Sequence, residues 1–540
     1  MLISGWYNRF ERIHKFMETM IITGAFLVLF FAVMIFIGVR SRKHASDVNG
    51  FVLGSRSVGP WLSAFAYGTS YFSAVIFVGY AGQFGWNFGV ASTWIGLGNA
   101  FIGSLLAWCI LGRRTRIMTQ HLSSKTMPDF FGARYKSKKL KIAASIITFV
   151  FLIPYTASLY NGLSRLFAMA FNGIDYTICV LVMAVLTGIY VIIGGYMATA
   201  WNDFIQGMIM LIGIIAVIGA VLNDNGGLET AMQSLAAVEG EAGWEGAYSS
   251  FLGPNPLFLL FVVLLTSLGT WGLPQMVGKF YAIKNEDSIK KGTVISTIFA
   301  IIVAGGCYFL GGFGRLYDVD VKANGFDAVI PQMLSTLSPV IIGLVIVLVL
   351  SASMSTLSSL VLTSGSSITL DLIEPLSKKK FEEKKKMLII RIFIVIFIAI
   401  SAAIAIVQAK SKNMFIAQMM GVSWGALAGA FLAPFLYGLY WKKTTKAAVA
   451  SSFVFGVGLE IVQLLVSLGV LDVKGIPVLS FVFTNSLYSG VFAMVGGIII
   501  IPIVSLLTQK TRPENAEEMF TCYTKTKTVE VTDSLGDDEK

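Results

Sequence analysis

Charge, cysteine and histidine are what this 540-residue chain has little of. Charged residues make up 13% of it, against about 25% in a soluble globular domain. The four cysteines, at 109, 179, 307 and 522, are isolated, and the three histidines are scattered. With no CxxC and no Cys/His cluster, neither a disulfide framework nor a zinc site is indicated. A phosphate-binding GxxxxGK[ST] loop and an HExxH helix are also missing. Without a nucleotide site, any uphill work must draw on an ion gradient.

Apolar length is what the chain has. Hydrophobic residues make up 55% and the mean hydropathy is +0.75, a profile that no soluble domain sustains over such a length. An all-α integral membrane protein is expected. Its thirteen spans fall near 20–39, 60–84, 88–112, 142–172, 176–194, 197–222, 252–278, 292–314, 338–370, 388–408, 414–440, 446–470 and 486–508. The first has no cleavage-site pattern and reads as a retained helix. With the N-terminus outside, 32 of the 41 Lys and Arg fall in cytoplasmic segments and 8 in outer ones. That asymmetry sets the orientation and puts the C-terminus in the cytoplasm; Arg9, Arg12 and Lys15 in the N-terminal arm oppose it. The Lys-rich inner loop 374–387 reads as a topology signal. The tail is polar, expected to be mobile, and too short for a signalling domain.

A hydroxyl stripe lies inside the ninth span. Ala352, Ser355, Thr356 and Ser359 stand at i, i+3, i+4 and i+7, one face of a helix. Hydrocarbon offers a hydroxyl no partner, so the stripe should face protein, water or an ion. Oxygen ligands suit small hard cations, and small residues also let membrane helices pack closely; both readings stand at this point. Two spans carry interruptions, the second at Tyr67-Gly68-Thr69-Ser70-Tyr71-Phe72-Ser73-Ala74 and the seventh at Ser267-Leu268-Gly269-Thr270-Trp271-Gly272-Leu273-Pro274-Gln275. Broken helices in corresponding positions, five spans apart, point to an inverted-repeat transporter. Three ionisable residues fall clearly within apolar spans: Arg165, Asp203 and Glu460. Asp203 reads either as a carboxylate at the inner mouth of a cation path or as a helix-start acid. Arg165 and Glu460 receive no assigned role.

Four features are shared with one known family. They are Leu53-Gly54-Ser55-Arg56-Ser57-Val58-Gly59-Pro60, the break Thr69-Ser70-Tyr71-Phe72-Ser73, the pattern GGx5WxDxxQ running from Gly194 to Gln206, and Ala352-x-x-Ser355-Thr356. On these the chain resembles the sodium/solute symporter family over about residues 20–510, which includes proline, pantothenate, monocarboxylate, sialic acid and sodium/glucose transporters. The resemblance implies a five-plus-five inverted-repeat fold of the leucine-transporter type, with one leading and two trailing helices. The expected division is 1–19, an extracellular arm; 20–59, the leading helix and inner loop; 60–223, the first repeat; 224–251, an outer loop; 252–441, the second repeat; 442–508, two peripheral helices; and 509–540, the cytoplasmic tail.

It also implies ligands. Backbone carbonyls of Thr69, Phe72 and Ala352 with hydroxyls of Ser355 and Thr356 would hold a sodium ion. A second sodium set maps onto Asp203, Ser355, Ser358 and Ser359. The solute pocket would be walled by Ser70, Tyr71, Ser73, Tyr155, Thr270, Trp271 and Gln275. Tyr71 stands where proline symporters have an aspartate, and Thr266 where they have a tryptophan, while Tyr155 is retained. The reading is a plasma-membrane symporter driven by sodium and carrying a small organic solute, such as proline or a monocarboxylate or pantothenate-like acid. It is not an enzyme, has no nucleic-acid partner, and shows no obligate protein partner. A sodium-permeable channel and a transporter-like membrane sensor are the alternatives.

Overall fold

A computed structural model describes residues 2–170, 175–377, 381–411, 416–473 and 475–524, without the side chains of 2–16, 19, 165, 168–170, 409–411, 416 and 417. The lysines at 378–380, the side chains of the basic residues in the arm and of Arg165, and the tail beyond 524 lie outside this description. The described residues are mostly helical and contain no strand; their one β contact is an isolated bridge, Val58 to Ile283.

Eleven helices frame the molecule. They are α1 (Leu2–Ser41), α2 (Pro60–Tyr71), α3 (Lys138–Ala170), α4 (Tyr176–Asp224), α5 (Pro256–Leu268), α6 (Pro274–Tyr281), α7 (Pro339–Ser367), α8 (Glu383–Ser411), α9 (Ile416–Tyr440), α10 (Lys446–Ser467) and α11 (Ser486–Leu507). Proline opens α2, α5, α6 and α7, where its missing N–H costs no helical bond. The expected arm 1–19 is no separate element, since α1 runs unbroken through it.

Ten described helices are long and apolar enough to cross a bilayer, or eleven if α5 and α6, bent by 48°, make one span. The count of thirteen is not confirmed on this measure, and the difference centres on two long runs. Val75–His121 has 47 residues and α4 has 49. A helix of that length would reach about 70 Å, twice the hydrocarbon thickness. Each run turns at a glycine, at Gly89 (φ 62°) and at Gly195 (φ 57°). At Gly195 a Cβ would also lie 2.9 Å from the Phe51 carbonyl, so no other residue fits there without strain.

Burial separates the core from the rim. In their most apolar stretches α7 is 83% and α9 94% buried, against 17% for α1, 33% for α10 and 39% for α11. The hydroxyl-bearing α7 is thus central, and α1, α10 and α11 turn residues such as Val28, Val454 and Ile503 to the lipid. Gly85, one turn before Gly89, packs so tightly that a Cβ there would sit 2.0 Å from the Gly311 carbonyl oxygen.

Packing of the C-terminal stretch corrects the expectation of a mobile tail as far as residue 524. Ala516, Met519 and Phe520 are buried, the Arg134 guanidinium lies 5.0 Å from the Phe520 ring, and that of Arg114 lies 4.6 Å from the Tyr523 ring. Cation–π contacts hold this stretch against the loop before α3.

Candidate functional site

Helix α2 stops because Phe72 takes an extended conformation (φ −100°, ψ 107°). The carbonyls of Thr69 and Ser70 are then left without the next helical amides as partners. The hydroxyl face of α7 meets them. Ser355 Oγ donates to Thr69 O at 3.0 Å or to Ala352 O at 3.1 Å. Thr356 Oγ1 lies 3.3 Å from Thr69 O, 3.5 Å from Ser70 O and 3.1 Å from Ala352 O. All five residues are buried. Three carbonyl dipoles therefore point their negative ends at two hydroxyls that have only one proton each to offer. A cation at this point satisfies the surplus lone pairs directly. The structure brings Thr69, Ala352, Ser355 and Thr356 together; Phe72 donates its amide to Gly68 O at 3.2 Å, stacks its ring on Tyr71 at 4.5 Å, and makes no described hydrogen bond to the group.

The second set is arranged differently. Asp203 and Ser359 are linked through Lys279, whose Nζ is 3.3 Å from Asp203 Oδ2 and donates to Ser359 Oγ at 2.8 Å. Ser359 Oγ is also 2.8 Å from Ser70 Oγ. Ser358 turns back to the Ser355 carbonyl at 2.8 Å. Sequence reasoning assigned Lys279 to a cytoplasmic segment, but it is 4% exposed. A signal was present: Gln275 and Lys279 are four apart in a helix opened by Pro274, so both face the same way. The count of three intramembrane ionisable residues also missed Asp371, which is buried, accepts from Thr126 Oγ1 and pairs with Lys141 at 3.2 Å.

The expected solute residues fall into groups. The Tyr71 hydroxyl donates to the Thr266 carbonyl, so the two positions at which the resemblance implied a difference from proline symporters touch each other. The Tyr71 ring lies 6.1 Å from Trp424, which meets Tyr155 edge-on at 5.9 Å. The Tyr155 hydroxyl faces Ser73 and Trp424, and Ser73 Oγ, Tyr155 Oη and Trp424 Nε1 are buried with no well-formed hydrogen bond among the described residues. Trp424 was missed because α9 reads as an unbroken apolar span. It lies in Gly421-Val422-Ser423-Trp424-Gly425, which has the form of a nucleophile elbow. That segment is mid-helix, with the Ser423 hydroxyl donating to the Phe151 carbonyl, and not the strand-to-helix turn such a nucleophile requires. Thr270 and Trp271 turn away, to Ser267 O at 2.8 Å and to Ile102 O at 3.1 Å. Gln275, with both amide atoms unpartnered, lines an inner cavity with Lys279. Glu460 is buried against Gly425, between α9 and α10.

Residues 51–456 match the sodium:solute symporter family. The chain belongs to that family. Among sodium:solute symporters it is 27% identical over 495 residues to the osmoregulated proline transporter OpuE of Bacillus subtilis (strain 168), covering 90% of this chain and 94% of that protein. It is 29% identical to a sodium/proline symporter of Staphylococcus aureus (strain bovine RF122 / ET3-1), covering 90% and 92%. The fold is that of a solved sodium-coupled sialic acid symporter in its substrate-bound outward-open state, with TM-score 0.70 at 18% identity over 90% of this chain and 98% of that one. A symporter of this family is a multi-pass membrane transporter and not an enzyme.

Proposed function

We propose that the chain is a sodium-coupled symporter of the plasma membrane, importing a small carboxylate-bearing solute by alternating access, with proline the first candidate. The observation that carries this reading is the convergence of Thr69 O, Ala352 O and the Ser355 and Thr356 hydroxyls between a broken helix and the most central helices of the bundle. Sodium there replaces four weak mutual contacts and draws α2 and α7 together, favouring the conformation in which the adjoining pocket is formed. An ion that prefers one conformation raises solute affinity, and the solute raises ion affinity by the same factor.

The pocket is read as the space bordered by Ser73, Tyr155 and Trp424. Its polar atoms are neutral donors set in aromatic walls, which suits a carboxylate on a compact apolar body. The names of the relatives support proline. The test is uptake of labelled proline, a monocarboxylate and pantothenate into vesicles under an imposed sodium gradient. Saturable uptake of one of them that collapses when choline replaces sodium is the expected result. Sodium current without any solute would favour a channel and overturn the reading.

A further inference from the structure

A lysine stands where an ion would. Lys279 Nζ reaches Asp203 Oδ2 at 3.3 Å and Ser359 Oγ at 2.8 Å, Ser70 Oγ lies 2.8 Å beyond, and the ammonium is 5.4 Å from the centre of the Tyr196 ring. A carboxylate oxygen with neighbouring hydroxyls is the donor set a small cation takes, and here a side chain of the protein has taken it. Resting on the sodium-coupled reading above, we propose that Lys279 is a tethered cation that fills the position formed by Asp203 and Ser359, so that each solute is coupled to one sodium ion and not two.

Three observations carry this. First, Asp203 is fully buried, and a buried carboxylate without a counter-charge is strongly destabilising. Lysine supplies a compact point charge with three donors, the closest side-chain substitute for a bound ion. Second, a sodium ion on the same carboxylate would lie about 4 Å from the ammonium, a repulsion that weakens its binding by about a thousandfold. Third, the inner cavity that reaches Lys279, Gln275 and Ser359 has a volume of about 50 Å³, room for a few waters. The ammonium is thus held by protein oxygens and not drawn out into an open aqueous vestibule. The Thr69–Ala352–Ser355–Thr356 group, by contrast, includes no charged side chain and leaves its place for the ion that is carried.

The experiment uses sodium alone, so no solute need be known. Radioactive sodium binding to the purified chain is expected to saturate at one ion per chain for wild type and for Lys279→Arg. Lys279→Ala is expected to bind two, and its melting temperature to rise about twice as steeply per decade of sodium chloride, with choline chloride keeping ionic strength constant. Asp203→Asn combined with Lys279→Ala is expected to return to one. Two ions bound by wild type, or Lys279→Ala with the wild-type response, would overturn the assignment while leaving sodium coupling intact. No sodium bound by wild type would instead overturn the sodium-coupled reading itself. Where Lys279→Ala yields no folded protein, the wild-type stoichiometry decides by itself.

Discussion

At the scale of single residues the proposed ion site is a balance of lone pairs. Ser355 and Thr356 each have one proton and more than one carbonyl within reach, so the site without an ion is under-satisfied by construction. Replacing both with alanine leaves the carbonyls buried with neither donor nor cation ligand. At about 1–3 kcal/mol for each buried group left unpaired, the sodium concentration for half-maximal uptake should rise by at least about tenfold, with the amount of folded protein little changed. A sodium titration of initial uptake rate checks this; unchanged dependence would remove both hydroxyls from the ligand set. This stripe was legible in the sequence because helical spacing and the cost of a hydroxyl in lipid act on the chain directly. Lys279 was legible only in its spacing from Gln275, because whether a lysine at a span's end reaches water or folds inward depends on the bend between α5 and α6. Trp424 was not, because its partners Tyr71 and Tyr155 come from helices distant in sequence.

At the scale of elements the informative feature is where helices stop. The breaks at Thr69–Ser73 and at Gly269–Pro274 were readable from glycine and proline, and the structure has both. The turn at Gly195 falls in the gap the sequence left between the spans 176–194 and 197–222. Close packing between elements was out of reach of the sequence, since any glycine in a membrane helix reads alike. The contact of Gly85 with Gly311 is a case. A methyl group there must push the two helices apart, at a typical overpacking cost of about 1–3 kcal/mol. Gly85→Ala should therefore lower the melting temperature and slow turnover by hindering closure at this contact, while the half-maximal sodium concentration stays within about twofold of wild type. A change confined to sodium affinity would mean that this contact is not part of the moving interface.

At the scale of the whole molecule, charge asymmetry gives an orientation that the packed tail puts to use. Cys522 lies between Phe520 and Tyr523 and is partly exposed. With Cys109, Cys179 and Cys307 changed to alanine, a membrane-impermeant maleimide should label Cys522 in inside-out vesicles and not in right-side-out ones; the reverse would invert the topology. One tie on that same face reaches further. Val58 N donates to Ala282 O at 3.1 Å, Lys284 N returns to Val58 O at 3.0 Å, and Arg56 caps Tyr281 O at 3.0 Å. The stretch entering α2 and the stretch leaving α6 are yoked there, so the walls proposed to cradle the ion and to flank the cargo share one crank. Such a machine has little slack for carrying either passenger alone, and its thrift with the gradient would come from two backbone bonds far from both seats.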